Sequence, residues 1–150
     1  SMKNNTVAEN RRARYEFDIV EQLEAGLALT GDEVKSIRAG DASITEAFGR
    51  IENNEAQLYG MHIPRYNAMS SQHYEPTRPR KLLLHRQEIY RLWGQTRQAG
   101  CTIVPLRLYF KRGWAKVELA IARGRKRHDK RRAIAERETE RTIRRRLQEH

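Results

Sequence analysis

The amino-acid sequence predicts a mainly β fold with short helices. We expect about six short antiparallel strands in a closed or nearly closed barrel, two or three peripheral helices and a basic C-terminal tail. Two hairpin patterns and two amphipathic helical patterns predict this arrangement. Strands do not alternate with long helices along the chain, so a parallel βαβ sheet is not favoured.

Two pairs of segments have the alternation and the turn residues of β-hairpins. In the clearer pair, apolar residues recur at every second position on either side of a link that contains Gly113. The alternating residues are Val104, Leu106, Leu108 and Phe110 on the first strand, and Val117, Leu119 and Ile121 on the second. The other hairpin joins residues 44–51 to 55–63 through Asn53 and Asn54, which tolerate the positive φ of a tight turn.

The remaining elements follow from shorter signals. Residues 15–19 alternate apolar and acidic side chains, which predicts a half-buried strand that continues to about residue 29. Thr30 and Glu33 have capping-box spacing, so a helix is expected over residues 31–39. A second helix is predicted from apolar spacing, with Trp93 in the core, and residues 64–81 are predicted to be a polar loop.

Charge limits the classes of partner. The chain has 150 residues, 38% of them hydrophobic, and a formal net charge of +11, which allows one core and favours nucleic acid or an anionic membrane surface. No apolar run is long enough to cross a bilayer, and we expect no secretion signal.

Cys101 is the only cysteine. It is expected to be a buried small hydrophobe in a reducing compartment rather than a reactive thiol.

The last 28 residues carry most of the net charge. Residues 123–150 hold 12 of the 30 Lys and Arg and 5 of the 19 Asp and Glu, with only three large aliphatic side chains. Such a segment cannot bury enough apolar surface to offset the entropy of ordering. It is also rich in helix-forming residues, so we expect it to fold as a helix against a polyanion.

Several residues indicate RNA contact, and few indicate metal binding or catalysis. Arg11, Arg12 and Arg14 precede aromatic residues and are better explained by RNA contact than by a solvated strand end. Trp114 stands among cations and could equally stack on a base or cap the barrel core. The dipeptide of His128 and Asp129 lies in the tail, where three or four metal ligands cannot converge. No metal site, no cofactor and no catalytic group is predicted.

Seven segments, taken together, resemble the SmpB family, the SsrA (tmRNA)-binding proteins of bacteria. They are residues 10–16, 24–29, 31–40, 80–85, 104–106, 115–117 and 124–132. The resemblance implies a barrel of the OB type over residues 10–123, after a flexible N-terminus at 1–9. It implies that the tail, residues 124–150, is disordered when free and helical on the ribosome.

The resemblance also implies partners and a role in trans-translation, the rescue of ribosomes stalled on messages without a stop codon. The expected partners are the tRNA-like domain of tmRNA and the ribosomal small subunit, at its decoding centre and mRNA channel. Alanyl-tRNA synthetase and elongation factor Tu are expected to act through tmRNA. A cytoplasmic location is implied, without a membrane partner and without catalysis.

Residues of this chain that match the family's motifs are its implied contact residues. Those implied for tmRNA are Asn10, Arg11, Arg12, Arg14, Glu24, Leu83 and Lys116. Those implied for the mRNA channel and decoding centre are Arg125, Lys126, His128, Asp129, Lys130 and Arg131. Two alternatives remain: a general OB-type RNA-binding or ribosome-associated protein, and an RNA-cleaving enzyme that uses His128 and Asp129.

Overall fold

A computed structural model describes residues 5–66, 73–125, 137–138 and 141–145. Its strands are β1 (Thr6–Glu9), β2 (Phe17–Leu27), β3 (Phe48–Glu52), β4 (Glu55–Tyr59), β5 (Arg80–Leu83), β6 (Cys101–Lys111) and β7 (Trp114–Gly124). Its helices in the barrel region are α1 (Arg11–Glu16), α2 (Gly31–Arg38) and α3 (Arg86–Thr96). None of the described helices is long and apolar enough to cross a membrane.

The strands form a closed antiparallel barrel, which confirms the predicted fold class. Strand order is β1-β6-β3-β4-β5-β2-β7, and a further pairing of β6 with β7 closes six strands into a ring. β1 is added to β6 outside that ring. The pairing between β3 and β6 is the shortest in the ring and consists of a single register pair, Gly49 with Ile103. A Cβ on Gly49 would lie 2.7 Å from a methyl carbon of Ile103, so closure there requires glycine.

Apolar side chains from every part of the ring fill the barrel. Leu58, Leu82 and Leu119 are at most 1% exposed, and Leu92 of α3 is buried with them. Trp93 was predicted to share this core, but its side chain is 48% exposed. The α3 side that faces the barrel carries Leu92 and, partly buried, Ile89, so Trp93 lies beyond its edge. Cys101, which was predicted to be buried, is only half-buried because it lies at the start of β6.

A β-bulge divides the apolar residues of β6 between two clusters. The predicted alternation placed them on one face, and this is wrong because the register shifts between Pro105 and Arg107. Leu108 and Phe110 remain in the main core. Ile103 also lies in the main core, whereas Val104 and Leu106 turn towards α1 and form a second cluster. Its buried members are Ala13, Val104, Leu106, Ala120 and Ala122.

Two predictions near the N-terminus need correction. Thr6–Glu9, which we expected to be flexible, forms β1 and pairs with β6. Tyr15, expected at the start of a strand, lies in α1, and β2 begins only at Phe17. Asn10 explains the change, because its side-chain oxygen accepts a hydrogen bond from the amide of Ala13 and caps the helix.

Local turn chemistry was predicted more accurately. Asn53 and Asn54 have φ of 50° and 62° and connect β3 to β4 as expected. Both strands are shorter than predicted, since β3 begins at Phe48 and β4 ends at Tyr59. The capping box of Thr30 and Glu33 is present at the start of α2, which ends at Arg38.

β5 lies partly within the segment that was predicted to be a loop, and it begins with a buried arginine. Arg80 is 0% exposed, and its Nε donates to Glu33 Oε2 at 2.9 Å. Its Nη1 donates to the carbonyl oxygens of Met61 at 2.7 Å and Pro76 at 2.9 Å. The Arg80–Glu33 pair therefore joins α2, β5 and the segments that follow β4.

Glu33 stays ionised in this buried position. Burial alone would raise its pKa, but hydrogen bonds from the Thr30 amide, Arg78 and Arg80 outweigh that effect. They hold the pKa of Glu33 below its ordinary value of 4.5. A carboxyl group of this kind stabilises the fold above its unfolded-state pKa, and the contribution is lost as the pH falls through the folded-state pKa.

Substitution Arg80→Ala should lower the free energy of unfolding by about 3–5 kcal/mol at neutral pH, because it leaves the Glu33 carboxylate buried with a partner removed. The loss should shrink below pH 4.5, where Glu33 can take up a proton. Urea denaturation at several pH values measures this. Arg50→Ala, which removes an exposed pair with Glu52 at 3.4 Å, is the control and should cost about 0–1 kcal/mol. Equal losses in the two variants would contradict the assignment.

Candidate nucleic-acid interface

Charged side chains gather on the outside of the barrel where β2, β7 and β6 lie side by side. Alternation turns Leu23, Val117 and Leu108 towards the core, so their neighbours in sequence point outwards. Register pairs align Glu24 with Glu118, Gly26 with Lys116, and Tyr109 with Lys116. We call this surface the outer face. It consists of Glu24, Arg107, Tyr109, Lys111, Lys116 and Glu118.

Glu24 is held in the middle of the outer face by specific contacts. The Tyr109 hydroxyl donates a hydrogen bond to Glu24 Oε2, and Lys111 Nζ lies 3.5 Å from the same oxygen. The hydrogen bond from Tyr109 is the main cause that lowers the pKa of Glu24 below 4.5; burial opposes it, and Lys111 and Lys116 reinforce it. Burial and the hydrogen bond to Glu24 raise the pKa of Tyr109 in turn. The carboxylate is therefore fixed and ionised at neutral pH.

A groove of about 840 Å³ adjoins the outer face between β5 and α3. We call it the β5–α3 groove. Glu24, Leu83 and Lys116 all line it, so three residues predicted for RNA contact meet here from three strands. Leu83 is 51% exposed at its wall. A Cβ on Gly26 would lie 3.3 Å from Leu83 Cβ and 3.7 Å from Lys116 Nζ, so Gly26 lets these side chains approach each other.

Asn10 does not present its side chain to a ligand. It is 4% exposed, and its amide nitrogen donates to the Pro105 carbonyl at 3.0 Å while its oxygen accepts from Ala13. Its own backbone amide donates to Leu106 at 2.9 Å. Asn10 therefore holds α1 against β6 and thereby orients the arginines that follow it.

The three arginines of α1 point in two directions. Arg14 lies 3.9 Å from Glu118 and thus beside the outer face, and the Arg11 side chain, 88% exposed, lies on the same side of α1. Arg12 instead pairs with Glu46 at 2.9 Å and with Glu16 at 3.1 Å. The structure therefore groups Arg11 and Arg14 with the outer face and separates Arg12 from it.

A second groove, of about 510 Å³, brings the tail near these arginines. Arg137 and Arg141 line it together with Arg11 and Arg14. The Arg137 guanidinium lies 4.1 Å from the centre of the Tyr15 ring. The described tail residues, 137–138 and 141–145, have helical backbone. The predicted transition of the tail from disorder to helix stays a prediction.

Of the residues predicted for the ribosome, only Arg125 is described. Its side chain is 20% exposed and lies 3.0 Å from Asp18, and its backbone amide donates to the Glu16 carbonyl. Arg125 is thus packed on the barrel. The other predicted tail contacts lie outside the described residues. They are Lys126, His128, Asp129, Lys130 and Arg131.

The sequence analysis did not identify Tyr109 and Arg107 as members of the outer face, and it left the role of Trp114 open. Tyr109 and Arg107 could have been found by continuing the alternation of β6 to its polar side. Arg107 lies 3.9 Å over the Tyr109 ring and 3.7 Å from Glu118. Trp114 is 72% exposed at the turn between β6 and β7, so it does not cap the core and is free to stack. Within the described ranges, no three His, Cys, Asp or Glu residues converge as metal ligands would.

Comparison with known proteins identifies the family. A model of the family described as "SmpB protein" matches residues 7–149. The chain belongs to the SmpB protein family. It is 55% identical over 138 residues to the SsrA-binding protein of Desulforudis audaxviator, covering 92% of this chain and 90% of the relative. It is 54% identical over 142 residues to that of Thermobifida fusca, covering 95% and 89%.

A solved structure has the same fold as this SmpB family member. It is described as "tmRNA-SmpB: a journey to the center of the bacterial ribosome". The two chains superpose with a TM-score of 0.67 at 48% sequence identity, over 84% of this chain and 92% of the other. The resemblance seen in the seven sequence segments is therefore confirmed along almost the whole chain.

Substitution Tyr109→Phe should raise the pKa of Glu24 towards 4.5, because it removes the hydrogen bond that lowers it most. The wild type should be more stable than the variant above pH 4.5, and this difference should vanish as the pH falls through the folded-state pKa of Glu24. Carboxyl titration by NMR measures the pKa, and thermal denaturation measures the stability. An unchanged Glu24 titration would show that the hydroxyl does not hold the carboxylate.

Proposed function

We propose that this chain binds the tRNA-like domain of tmRNA with its outer face and accompanies it to stalled ribosomes in trans-translation. The observation that carries the proposal is the meeting of Glu24, Leu83 and Lys116 beside the β5–α3 groove. Membership of the SmpB family and relatives named SsrA-binding proteins support it. The protein acts as an adaptor and not as an enzyme.

The contacts follow from the chemistry of the outer face. Lys116 and Arg14 supply cations for phosphates. Glu24 is ionised, acceptor-only and oriented by Tyr109, so it suits the amino group of a base edge. Leu83 offers an exposed apolar side chain, and Trp114 a ring on which a base can stack. Asn10 positions α1, and Arg12 lies on the side of α1 away from this surface.

The tail is proposed to act on the ribosome. Residues 126–150 carry ten Lys and Arg and five Asp and Glu, a composition suited to a channel whose walls are RNA. We propose that this segment enters the vacant mRNA channel beside the decoding centre. Alanyl-tRNA synthetase and elongation factor Tu would then meet this chain only through tmRNA. The proposed location is the cytoplasm.

Substitution Lys116→Glu should weaken binding to the tRNA-like domain of tmRNA, because it replaces a phosphate contact with a repelling charge. The slope of log affinity against log salt should shrink by about 0.7–0.9, the value of one phosphate contact. Lys35→Glu makes the same charge change on the exposed side of α2 and serves as the control. An ordinary tRNA should bind more weakly than the tmRNA domain; equal binding of both RNAs would favour a general RNA-binding protein.

Removal of residues 126–150 should leave binding to the tmRNA domain intact and abolish rescue of stalled ribosomes. The cut is placed after Arg125 because that residue pairs with Asp18 on the barrel. Binding is measured by titration, and rescue by the tagging of a peptide from a message without a stop codon. Loss of tmRNA binding in the truncated chain would contradict this division of labour.

A further inference from the structure

α3 carries a row of exposed side chains that the barrel does not use. Spacings of four, three and four residues place these side chains along one side of the helix. They are Arg86, Tyr90, Trp93 and Arg97, and we call them the α3 stripe. Tyr90 is 58% exposed and Trp93 is 48% exposed, whereas Leu92 on the opposite side is buried in the core.

The composition of the α3 stripe fits a nucleotide. Two aromatic rings lie between two guanidinium groups, and the Arg97 guanidinium lies 4.4 Å over the Trp93 ring. Flat rings stack on nucleobases, and arginines bind phosphates. Glu88, the acid of this helix, is not part of the stripe; it accepts a hydrogen bond from the His85 amide at 2.9 Å and lines the β5–α3 groove. The stripe itself therefore consists of cations and aromatic rings, and the Glu88 carboxylate lies in the groove beside its first half.

The helix backbone next to the stripe is open to a ligand. A Cβ built on Gly94 meets none of the described atoms within 4 Å. Glycine in a helix interior costs stability relative to alanine, and nothing in the packing of Gly94 requires it. A bare backbone beside Tyr90 and Trp93 allows a bulky planar partner to approach closely.

The stripe continues the candidate RNA surface. Arg86 and Tyr90 line the β5–α3 groove with Leu83 and Lys116, and Trp93 and Arg97 extend the same line along the helix. At 1.5 Å per residue, the part of the stripe beyond Tyr90 adds about 10 Å to that surface. An RNA bound in the groove therefore lies beside the aromatic rings.

We infer that the α3 stripe is a nucleobase-stacking extension of the RNA-binding surface. Unpaired nucleotides that adjoin the RNA in the groove stack on Tyr90 and Trp93, and their phosphates contact Arg86 and Arg97. This inference rests on the proposed function and specifies which kind of RNA segment the surface takes. It predicts that the bound RNA has a loop or single-stranded nucleotides at this edge.

The first test compares aromatic substitutions in the full-length chain. Tyr90→Ala and Trp93→Ala should each weaken binding to the tmRNA tRNA-like domain by at least about fivefold, the lower limit of base stacking. The control is Phe48→Ala with Tyr59→Ala, a stacked pair with ring centres 5.6 Å apart on the β3–β4 hairpin, in which Phe48 is exposed and Tyr59 half-buried. Thermal denaturation verifies that all variants fold.

A second pair of substitutions tests the arginines. Arg86→Gln and Arg97→Gln should each reduce the salt slope by about 0.7, the value for a phosphate in single-stranded nucleic acid. Arg50→Gln, which removes an arginine that lies 5.6 Å over Phe48, should leave the slope unchanged.

Fluorescence provides a measurement that does not depend on affinity. The chain has two tryptophans, so Trp114→Phe leaves Trp93 as the only indole. Its emission should be quenched at saturating RNA, because the ring becomes stacked. Unchanged emission and unchanged affinity, with Lys116→Glu still weakening binding, would overturn this inference and leave the proposed function standing. If Lys116→Glu also has no effect, the proposed function itself fails.

One further outcome separates RNA from a protein partner. Sedimentation of the free chain that shows a dimer, lost in the variant with Tyr90→Ala and Trp93→Ala, would make the stripe a contact between two copies and would overturn the inference. A monomer in both cases, with weaker RNA binding by the variant, supports it.

Discussion

The buried pair of Arg80 and Glu33 is the interaction on which the position of the candidate interface depends. Two charges leave water here, and hydrogen bonds replace the lost solvent: the Thr30 amide donates to the Glu33 carboxylate, and Arg80 donates to carbonyl oxygens of the segments beside β5. The pair fixes the start of β5, three residues before Leu83. The same strand then meets β2 at Gly26, and that junction forms a wall of the β5–α3 groove. A structural ion pair on the inside thus determines the position of the candidate interface on the outside.

Carboxylates on the outer face organise the cations around them. Glu118 lies between Arg14 and Arg107, and Glu24 interacts with Lys111 and Lys116, so each acid reduces the repulsion that these four cations would otherwise experience. An approaching phosphate competes with carboxylates for cations that are already close to their final positions. Less side-chain entropy is then lost on binding. This accounts for acidic residues on a surface that is proposed to bind a polyanion.

Sequence patterns predicted the parts of the fold that depend on neighbours in the chain. The turn at Asn53 and Asn54 and the cap at Thr30 are decided by local backbone geometry. β1 and the buried role of Asn10 were not predicted, because both depend on β6, about a hundred residues away. Arg80 appeared to be a loop residue since its partner, Glu33, is remote in sequence. Of the interface, Glu24, Leu83 and Lys116 were found by motif, whereas Tyr109 required knowledge of which side of β6 faces outwards.

Because β3 pairs with β6 only at Gly49, the strands of the barrel are not held together equally strongly around the ring. β2, β7 and β6 are paired along almost their full length, while β2 meets β5 over two register pairs and β3 meets β6 at one. Local opening therefore begins at the seams and leaves the three long strands in place. Their amides should be the slowest to exchange with solvent deuterium, and those at the seams faster. The outer face on β2, β7 and β6 is thus a rigid plate, whereas the wall of the β5–α3 groove at Gly26 and Leu83 lies on a seam and can adjust its shape.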